Sequence, residues 1–102
     1  MHEKREYPRS QVNLHVSCVF DEGESCPGVA RDISVGGMFI EASAAPAFAT
    51  KVFIECRLPG LKDEARLPAV VRWVKTDGFG VQFGLLGARE THAITSMLSQ
   101  RR

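Results

Sequence analysis

The sequence predicts a mainly β protein of one domain, a six-stranded antiparallel β-barrel with a C-terminal α-helix. Six short segments have strand-like alternation or β-forming composition, turn residues separate them, and the final segment changes to helical periodicity. The 102 residues, 44% hydrophobic and 25% charged, are typical of one folded domain with a single core. Closing the sheet into a barrel would protect its edge strands.

The first half of the chain predicts three strands. Apolar side chains alternate with mostly polar ones over residues 12–20, which is the period of a half-buried strand. An acidic turn with glycine and proline leads to a second strand at 28–33, and a turn at 34–37 leads to a third at 38–41. The adjacent glycines of this second turn are expected to adopt the positive φ of a tight hairpin.

The second half predicts three more strands and the helix. After a loop at 42–50, alternation resumes over 51–58, and further strands are expected at 66–75 and 79–83. From residue 88 to residue 100 apolar side chains recur at i, i+3 and i+4, as one face of a helix requires. We therefore expect a barrel domain at 12–102, preceded by a flexible N-terminal arm at 1–11.

Composition excludes several classes of function. Thirteen basic against twelve acidic residues leave a net charge of +1, so no global field favours DNA, RNA or an anionic membrane. The charged N-terminus lacks the apolar stretch of a signal peptide, and no apolar run could span a bilayer. Three cysteines without a Cys-x-x-Cys spacing indicate a reducing compartment. We expect a soluble, cytoplasmic protein without membrane insertion.

No pattern of residues predicts catalysis or metal binding. The three histidines are scattered, with no carboxylate or cysteine at ligand spacing, and no nucleophile, base and orienting group occur together. Cys18 and Cys56 fall on the apolar sides of their strands and are interpreted as core residues, whereas Cys26 is expected to be a loop thiol. The sequence thus predicts no enzyme, no catalytic residue and no metal site.

One candidate binding motif precedes the first strand. Arg5 and Arg9 are four positions apart, with Lys4 just ahead of them. A guanidinium group can form bidentate bonds to phosphate or to the O6 and N7 atoms of guanine. The alternative interpretation of this segment is a solvated, charged terminus.

A second candidate motif ends the second strand. In an extended chain Asp32 and Ser34 point to one side while Ile33 points into the barrel, so a carboxylate and a hydroxyl would stand together on the outer face. A carboxylate can accept the N–H donors of guanine, and Gly37 would let a ligand approach the backbone. Alternatively, the same residues form an Asx or ST turn that prepares the hairpin.

Together the two motifs resemble those of the PilZ domain family. The family's RxxxR pattern matches Arg5 and Arg9, and its [D/N]xSxxG pattern matches Asp32, Ser34 and Gly37. The resemblance implies a split-barrel fold that binds the bacterial second messenger cyclic di-GMP. It also implies that the arginines hold phosphate and guanine, while the Asp/Ser/Gly segment holds a guanine on the barrel surface.

The resemblance continues into the later strands, at residues 70–73 and 80–83. It allows additional contacts from Lys4, Gly36 and Trp73, although alternation places Trp73 on the core side or the barrel rim. Lys4 stands where many relatives have arginine, and lysine lacks the planar fork. Whether one nucleotide or a stacked pair binds is therefore left open.

The leading hypothesis is a receptor that relays cyclic di-GMP by conformational change to an unidentified downstream protein, in motility, adhesion or biofilm regulation. The alternative is a PilZ-like protein-interaction module that does not bind nucleotide. A small nucleic-acid-binding barrel is disfavoured, because such proteins combine a basic groove with aromatics on one strand face. This chain has neither feature.

Overall fold

The computed structural model of the chain describes residues 10–21, 23–44 and 46–100 and shows a closed antiparallel barrel. Around the barrel the strands follow the order β1-β2-β3-β6-β5-β4, and β1 closes it by pairing with both β2 and β4. This confirms the predicted fold class. The elements are β1 (Ser10–Phe20), β2 (Ser25–Ile33), β3 (Gly37–Glu41), β4 (Lys51–Cys56), β5 (Ala65–Lys75), β6 (Gly78–Phe83) and α1 (Ala88–Gln100).

The inward side chains of all six strands form one core. Its largest fully buried members include Phe79, Ile54 and Ile40, and Ala93, Ile94 and Met97 of α1 join the same cluster. Each apolar side chain removed from water contributes roughly 1.5–3 kcal/mol to folding, so this face of every strand defines the barrel. None of the described helices is long and apolar enough to cross a membrane.

Three β-bulges interrupt the regular alternation. They lie between Gln11 and Leu14 on β1, between Ala30 and Asp32 on β2, and between Val71 and Trp73 on β5. Each inserts one extra residue relative to the partner strand, which turns the following side chain to the opposite face. The β2 bulge thus lets Ala30 and Ile33 both point inward although they are three positions apart.

The β5 bulge overturns the expected position of Trp73. Because Arg72 is the extra residue, Trp73 stands opposite Gly80 on the outer face of the sheet, instead of following Val71 into the core. The indole is 38% exposed, and a Cβ added to Gly80 would lie 2.0 Å from its Cε2 atom. The ring therefore lies on the bare backbone of β6.

The glycines of the β2–β3 turn also differ from expectation. Neither Gly36 nor Gly37 has a positive φ; among the described residues that conformation occurs at Gly23, Gly60 and Ala49. Gly37 is needed for a different reason, because a Cβ there would lie 2.1 Å from the carbonyl oxygen of Val81. Close approach of β3 to β6 excludes a side chain at this position.

Some element boundaries are shifted as well. β1 begins at Ser10, so residues 10 and 11 belong to the barrel and not to the expected arm. β2 begins at Ser25, which places Cys26 in a strand as a half-buried residue and not in a loop. β4 ends at Cys56, two residues earlier than alternation predicted.

The contact between β6 and β3 predicts an asymmetry between two glycines. A Cβ at Gly78 would lie 2.1 Å from the Ile40 carbonyl oxygen, a backbone atom that cannot move aside, so Gly78→Ala should lower the free energy of unfolding by about 1–3 kcal/mol. Gly84→Ala is the matched control, because the nearest atom to its Cβ is 3.7 Å away. Urea unfolding measures both, and equal stabilities would contradict the packing described.

The contact between the Trp73 ring and Gly80 predicts that mutations at the two positions have coupled effects on stability. Gly80→Ala should cost about 1–2 kcal/mol in the parent, since the new methyl group displaces the indole. In a Trp73→Ala background the same change should cost less than about 0.5 kcal/mol, because the obstructing ring is gone. A double-mutant cycle by urea unfolding gives the coupling energy. Additive effects would place the ring elsewhere.

Candidate functional site

The turn between β2 and β3 is held by three hydrogen bonds. The Ser34 amide donates to the Gly37 carbonyl (2.8 Å), the Gly36 amide donates to Ser34 Oγ (3.1 Å), and the Phe83 amide donates to the Gly36 carbonyl (2.8 Å). The turn is thereby fixed to itself and to the end of β6. This is the ST turn that the sequence left open as an alternative.

The bonding of this turn places the Ser34 hydroxyl differently from expectation. The side chain is only 2% exposed, so it does not stand on the outer face beside Asp32. Its oxygen accepts the Gly36 amide, and alternation could not reveal this because the strand ends at Ile33. The serine organises the turn that carries the motif.

Asp32 lies on the outer face, next to two bulges. It stands opposite Gln11 on β1 and Phe39 on β3, and its side chain is half-buried. Both bulges lie on the Ala30 side of these pairs, one between Gln11 and Leu14 on β1 and the other at Arg31 on β2. Asp32 therefore projects from a stretch of backbone that is paired on both sides. A carboxylate on a strand has a more precisely defined position than one in a loop.

Arg31, the bulged residue beside Asp32, ties three strands together. Its Nε donates to Glu41 Oε1 on β3 (2.8 Å), its Nη2 lies 2.7 Å from the same oxygen, and its Nη1 donates to Asn13 Oδ1 on β1. Charge-assisted bonds of this kind are directional. They span the irregular part of the sheet from which Asp32 projects, a role that the sequence analysis did not identify.

The register brings four residues into one row across the outer face. Asp32 on β2 is opposite Phe39 on β3, Phe39 is opposite Gly80 on β6, and Gly80 is opposite Trp73 on β5. Three interstrand spacings of about 4.8 Å make this row roughly 14 Å wide. We call these four residues the outer row. It places a carboxylate at one end and an indole at the other.

A cation adjoins the outer row. Lys75 Nζ lies 5.6 Å from the centre of the Phe39 ring. Neither residue was predicted from the sequence, although the inward positions of Met38 and Ile40 indicate that Phe39 between them points outward. An anionic, flat ligand would meet aromatic surface, a positive charge and a carboxylate here.

The remaining predicted residues precede β1 in the sequence. Lys4, Arg5 and Arg9 lie outside the described residues, so their roles stay predictions. Ser10, the first described residue, is opposite Ile33. The chain therefore enters the barrel directly beside the segment that contains Asp32 and Ser34.

A separate cleft of about 550 Å³ opens at the other end of β1. It is lined by Phe20, Asp21, Glu24 and Lys51 together with part of the β3–β4 loop, and it contains none of the predicted site residues. Within residues 10–21, 23–44 and 46–98, no cluster of histidine, cysteine, aspartate or glutamate is placed to hold a metal ion.

Comparison with known proteins identifies the family. The PilZ domain model matches residues 3–100 of the chain. A search of curated sequences finds no match.

Several solved structures are similar in fold. The PilZ domain of CeSA from a cellulose-synthesizing bacterium is 21% identical, with a TM-score of 0.73 over 91% of this chain and 96% of its own. The PilZ domain of Escherichia coli YcgR, solved with cyclic di-GMP, is 12% identical, with a TM-score of 0.76 over 97% and 92%. Bacillus subtilis MotI/DgrA, an inhibitor of motility, is 20% identical, with a TM-score of 0.74 over 99% of this chain. This chain spans 55% of the length of MotI/DgrA. Because the family model covers almost the whole sequence and the barrel has the fold of these domains, the chain belongs to the PilZ domain family.

Proposed function

We propose that this chain is a cyclic di-GMP receptor whose binding site combines the RxxxR segment with the outer row of the barrel. The observation that carries the proposal is the pairing of Ser10 with Ile33. Ser10 directly follows Arg9 in the sequence, so the chain that carries the RxxxR segment joins the barrel beside the residue that follows Asp32. The YcgR domain, which shares the fold, was solved with the same nucleotide.

Chain connectivity makes the arginines available to the outer row. Arg9 precedes Ser10 by one peptide bond, which limits their Cα atoms to about 3.8 Å. Arg5 lies five residues before Ser10 and can be at most about 18 Å away. The outer row is roughly 14 Å wide, so both guanidinium groups can reach a ligand lying on it.

The chemistry of the two parts matches the ligand. Cyclic di-GMP carries two negative phosphates and two guanines. Arg5 and Arg9 supply bidentate donors for phosphate or for the guanine O6 and N7 atoms, with Lys4 as a further cation. Asp32 supplies an acceptor for the N–H groups of a guanine, and Trp73 supplies a flat surface for a base.

The rest of the second motif acts mainly through the backbone in this proposal. Ser34 accepts the Gly36 amide and so fixes the turn that follows Asp32. Gly37 lets β3 lie close to β6, which brings Phe39 beside Gly80. The motif thus shapes the surface that Asp32 and Trp73 present.

Signalling would follow from closing residues 4–9 over the bound nucleotide. Each residue that the ligand fixes costs about 1–2 kcal/mol of conformational entropy, and charge-assisted hydrogen bonds of about 1.5–3 kcal/mol each can offset that cost. The closed segment and the nucleotide would form a new surface for a downstream protein. A receptor of this kind changes its partner's behaviour without performing chemistry.

One prediction of the proposed function concerns Arg5 and Arg9. Arg5→Ala/Arg9→Ala should weaken binding of cyclic di-GMP by roughly 100-fold or more in calorimetric titration, because at least two charge-assisted bonds are lost. Arg57→Ala/Arg66→Ala is the matched control. This control variant also loses two positive charges. Arg57 directly follows β4 and Arg66 lies on β5, both outside the outer row, so the variant should bind cyclic di-GMP like the parent.

Two outcomes would contradict the proposal in different ways. If the Arg5/Arg9 variant binds as tightly as the parent, the nucleotide is bound but the site is assigned wrongly. If the folded parent gives neither heat nor a shift in melting temperature, the chain is instead a PilZ protein-interaction module that does not use nucleotide.

The second prediction concerns base specificity. Asp32→Ala should weaken cyclic di-GMP binding about 10-fold to 100-fold, because a carboxylate acceptor is removed from the guanine edge. The ratio of affinities for cyclic di-GMP and cyclic di-AMP should fall as well, since adenine lacks the adjacent N1–H and N2–H donors with which guanine can bond both oxygens of a carboxylate. Asp63→Ala, which removes an exposed carboxylate from the β4–β5 turn, is the control. An unchanged affinity ratio would remove Asp32 from the guanine contact.

A further inference from the structure

Two of the three cysteines face each other across neighbouring strands. Cys18 on β1 is the direct partner of Cys26 on β2 in the antiparallel register. Both are free thiols, Cys18 fully buried and Cys26 half-buried. The pairing places both side chains on the inward side of the sheet, near the end of the barrel that is remote from Asp32.

The β1–β2 hairpin holds this pair in a defined geometry. The Phe20 amide donates to the Glu24 carbonyl (2.7 Å), and the Gly23 amide donates to the Phe20 carbonyl (2.9 Å), with Gly23 at a φ of +91°. Hydrogen-bonded pairs recur every second residue along an antiparallel ladder, so Cys18 and Cys26 form the next such pair after Phe20 and Glu24. Their Cα atoms are then about 5.5 Å apart, within the range that a disulfide bridges.

We propose that Cys18 and Cys26 are a site of reversible oxidation, at which a peroxide or a small disulfide converts the two thiols into a cross-strand disulfide. This inference is independent of nucleotide binding. Directly opposite Cβ atoms are about 4.5–5.5 Å apart, whereas a disulfide needs about 3.5–4.5 Å, so the strands must move together locally. A bond formed under that constraint is readily reduced again.

The surroundings of the two sulfur atoms determine which one reacts first with the oxidant. Burial, and then the proximity and hydrogen bond of Cys26, raise the pKa of the Cys18 thiol to about 12, so Cys18 is a poor initial nucleophile. Cys26 is partly open to solvent and is the sulfur that an oxidant reaches first. Cys18 then acts as the resolving thiol.

With hydrogen peroxide the steps balance as follows. The Cys26 thiol loses its proton, the thiolate attacks one peroxide oxygen, an S–O bond forms, the O–O bond breaks, and the leaving hydroxide takes up the released proton as water. The Cys18 sulfur then attacks the sulfenic sulfur, the S–S bond forms, the S–O bond breaks, and the thiol proton leaves with the hydroxyl as water. Overall two thiols are oxidised by two electrons and one peroxide becomes two waters.

Cys56 provides an internal control. It is buried on β4 opposite Val16 and is the register partner of neither other cysteine. Burial raises the pKa of its thiol to about 11, which keeps it protonated at neutral pH. The proposal therefore requires oxidised protein to retain one free thiol per chain, at Cys56.

The test is native oxidation of the whole chain followed by peptide mapping. The folded protein is treated with hydrogen peroxide, the excess peroxide is removed, and the chain is then unfolded in the presence of an alkylating reagent and analysed by intact mass. We expect a chain lighter by two hydrogens that carries one alkylatable thiol, and its reversal by dithiothreitol without denaturant. Cys18 and Cys26 share one tryptic peptide, so cleavage after the glutamates between them is needed to show two peptides joined by a disulfide.

Matched variants make the assignment specific. Cys26→Ala, at a half-buried position, should abolish the linked peptides, whereas Cys56→Ala should leave them unchanged. A Cys18–Cys56 linkage, a disulfide between two chains, or over-oxidation of Cys26 while Cys18 stays reduced would each overturn the proposal. The peptide map of the parent decides the question even if a variant fails to fold, and no nucleotide is used at any step.

Discussion

The whole structure depends on β1 pairing along both of its edges. Its eleven residues contact β2 on one side and β4 on the other, so the sheet closes and every strand has two neighbours. Closure satisfies backbone hydrogen bonds that an open edge would leave for aggregation. It also separates an apolar interior from a continuous outer face, on which a ligand site can be built without disturbing the core.

Where the outer face carries functional groups, the barrel departs from regular geometry. Bulges beside Asp32 and Trp73 each add one residue, so side chains that alternation assigns to a given face are re-aimed. Glycines at positions 37 and 80 remove the side chains that would keep β3, β6 and the Trp73 ring apart. The bulges and the two glycines therefore allow the same strands to pack the core on one face and to carry the proposed site on the other.

The two ends of the barrel offer different chemistry. At one end the chain enters β1 beside the β2–β3 turn, where we propose that the nucleotide binds. The other holds the β1–β2 hairpin, whose fixed register places Cys18 against Cys26. The two features share strands but no side chains, so nucleotide binding and thiol oxidation can be separated experimentally.

The sequence by itself determined how many strands there are and where they follow one another along the chain. It also determined the terminal helix, the core side of most strands and the two motifs that indicate the family. These depend on local periodicity and spacing, which neighbouring residues encode. Only the tertiary structure decided that Ser34 is buried in its turn, that Trp73 lies outside on Gly80, and that Cys26 meets Cys18. The burial of Ser34 depends on a hydrogen bond within its turn, the Cys18–Cys26 pair on the register of β1 against β2, and the position of Trp73 on the register of β5 against β6. A single bulge changes that register while leaving the local sequence pattern unaltered.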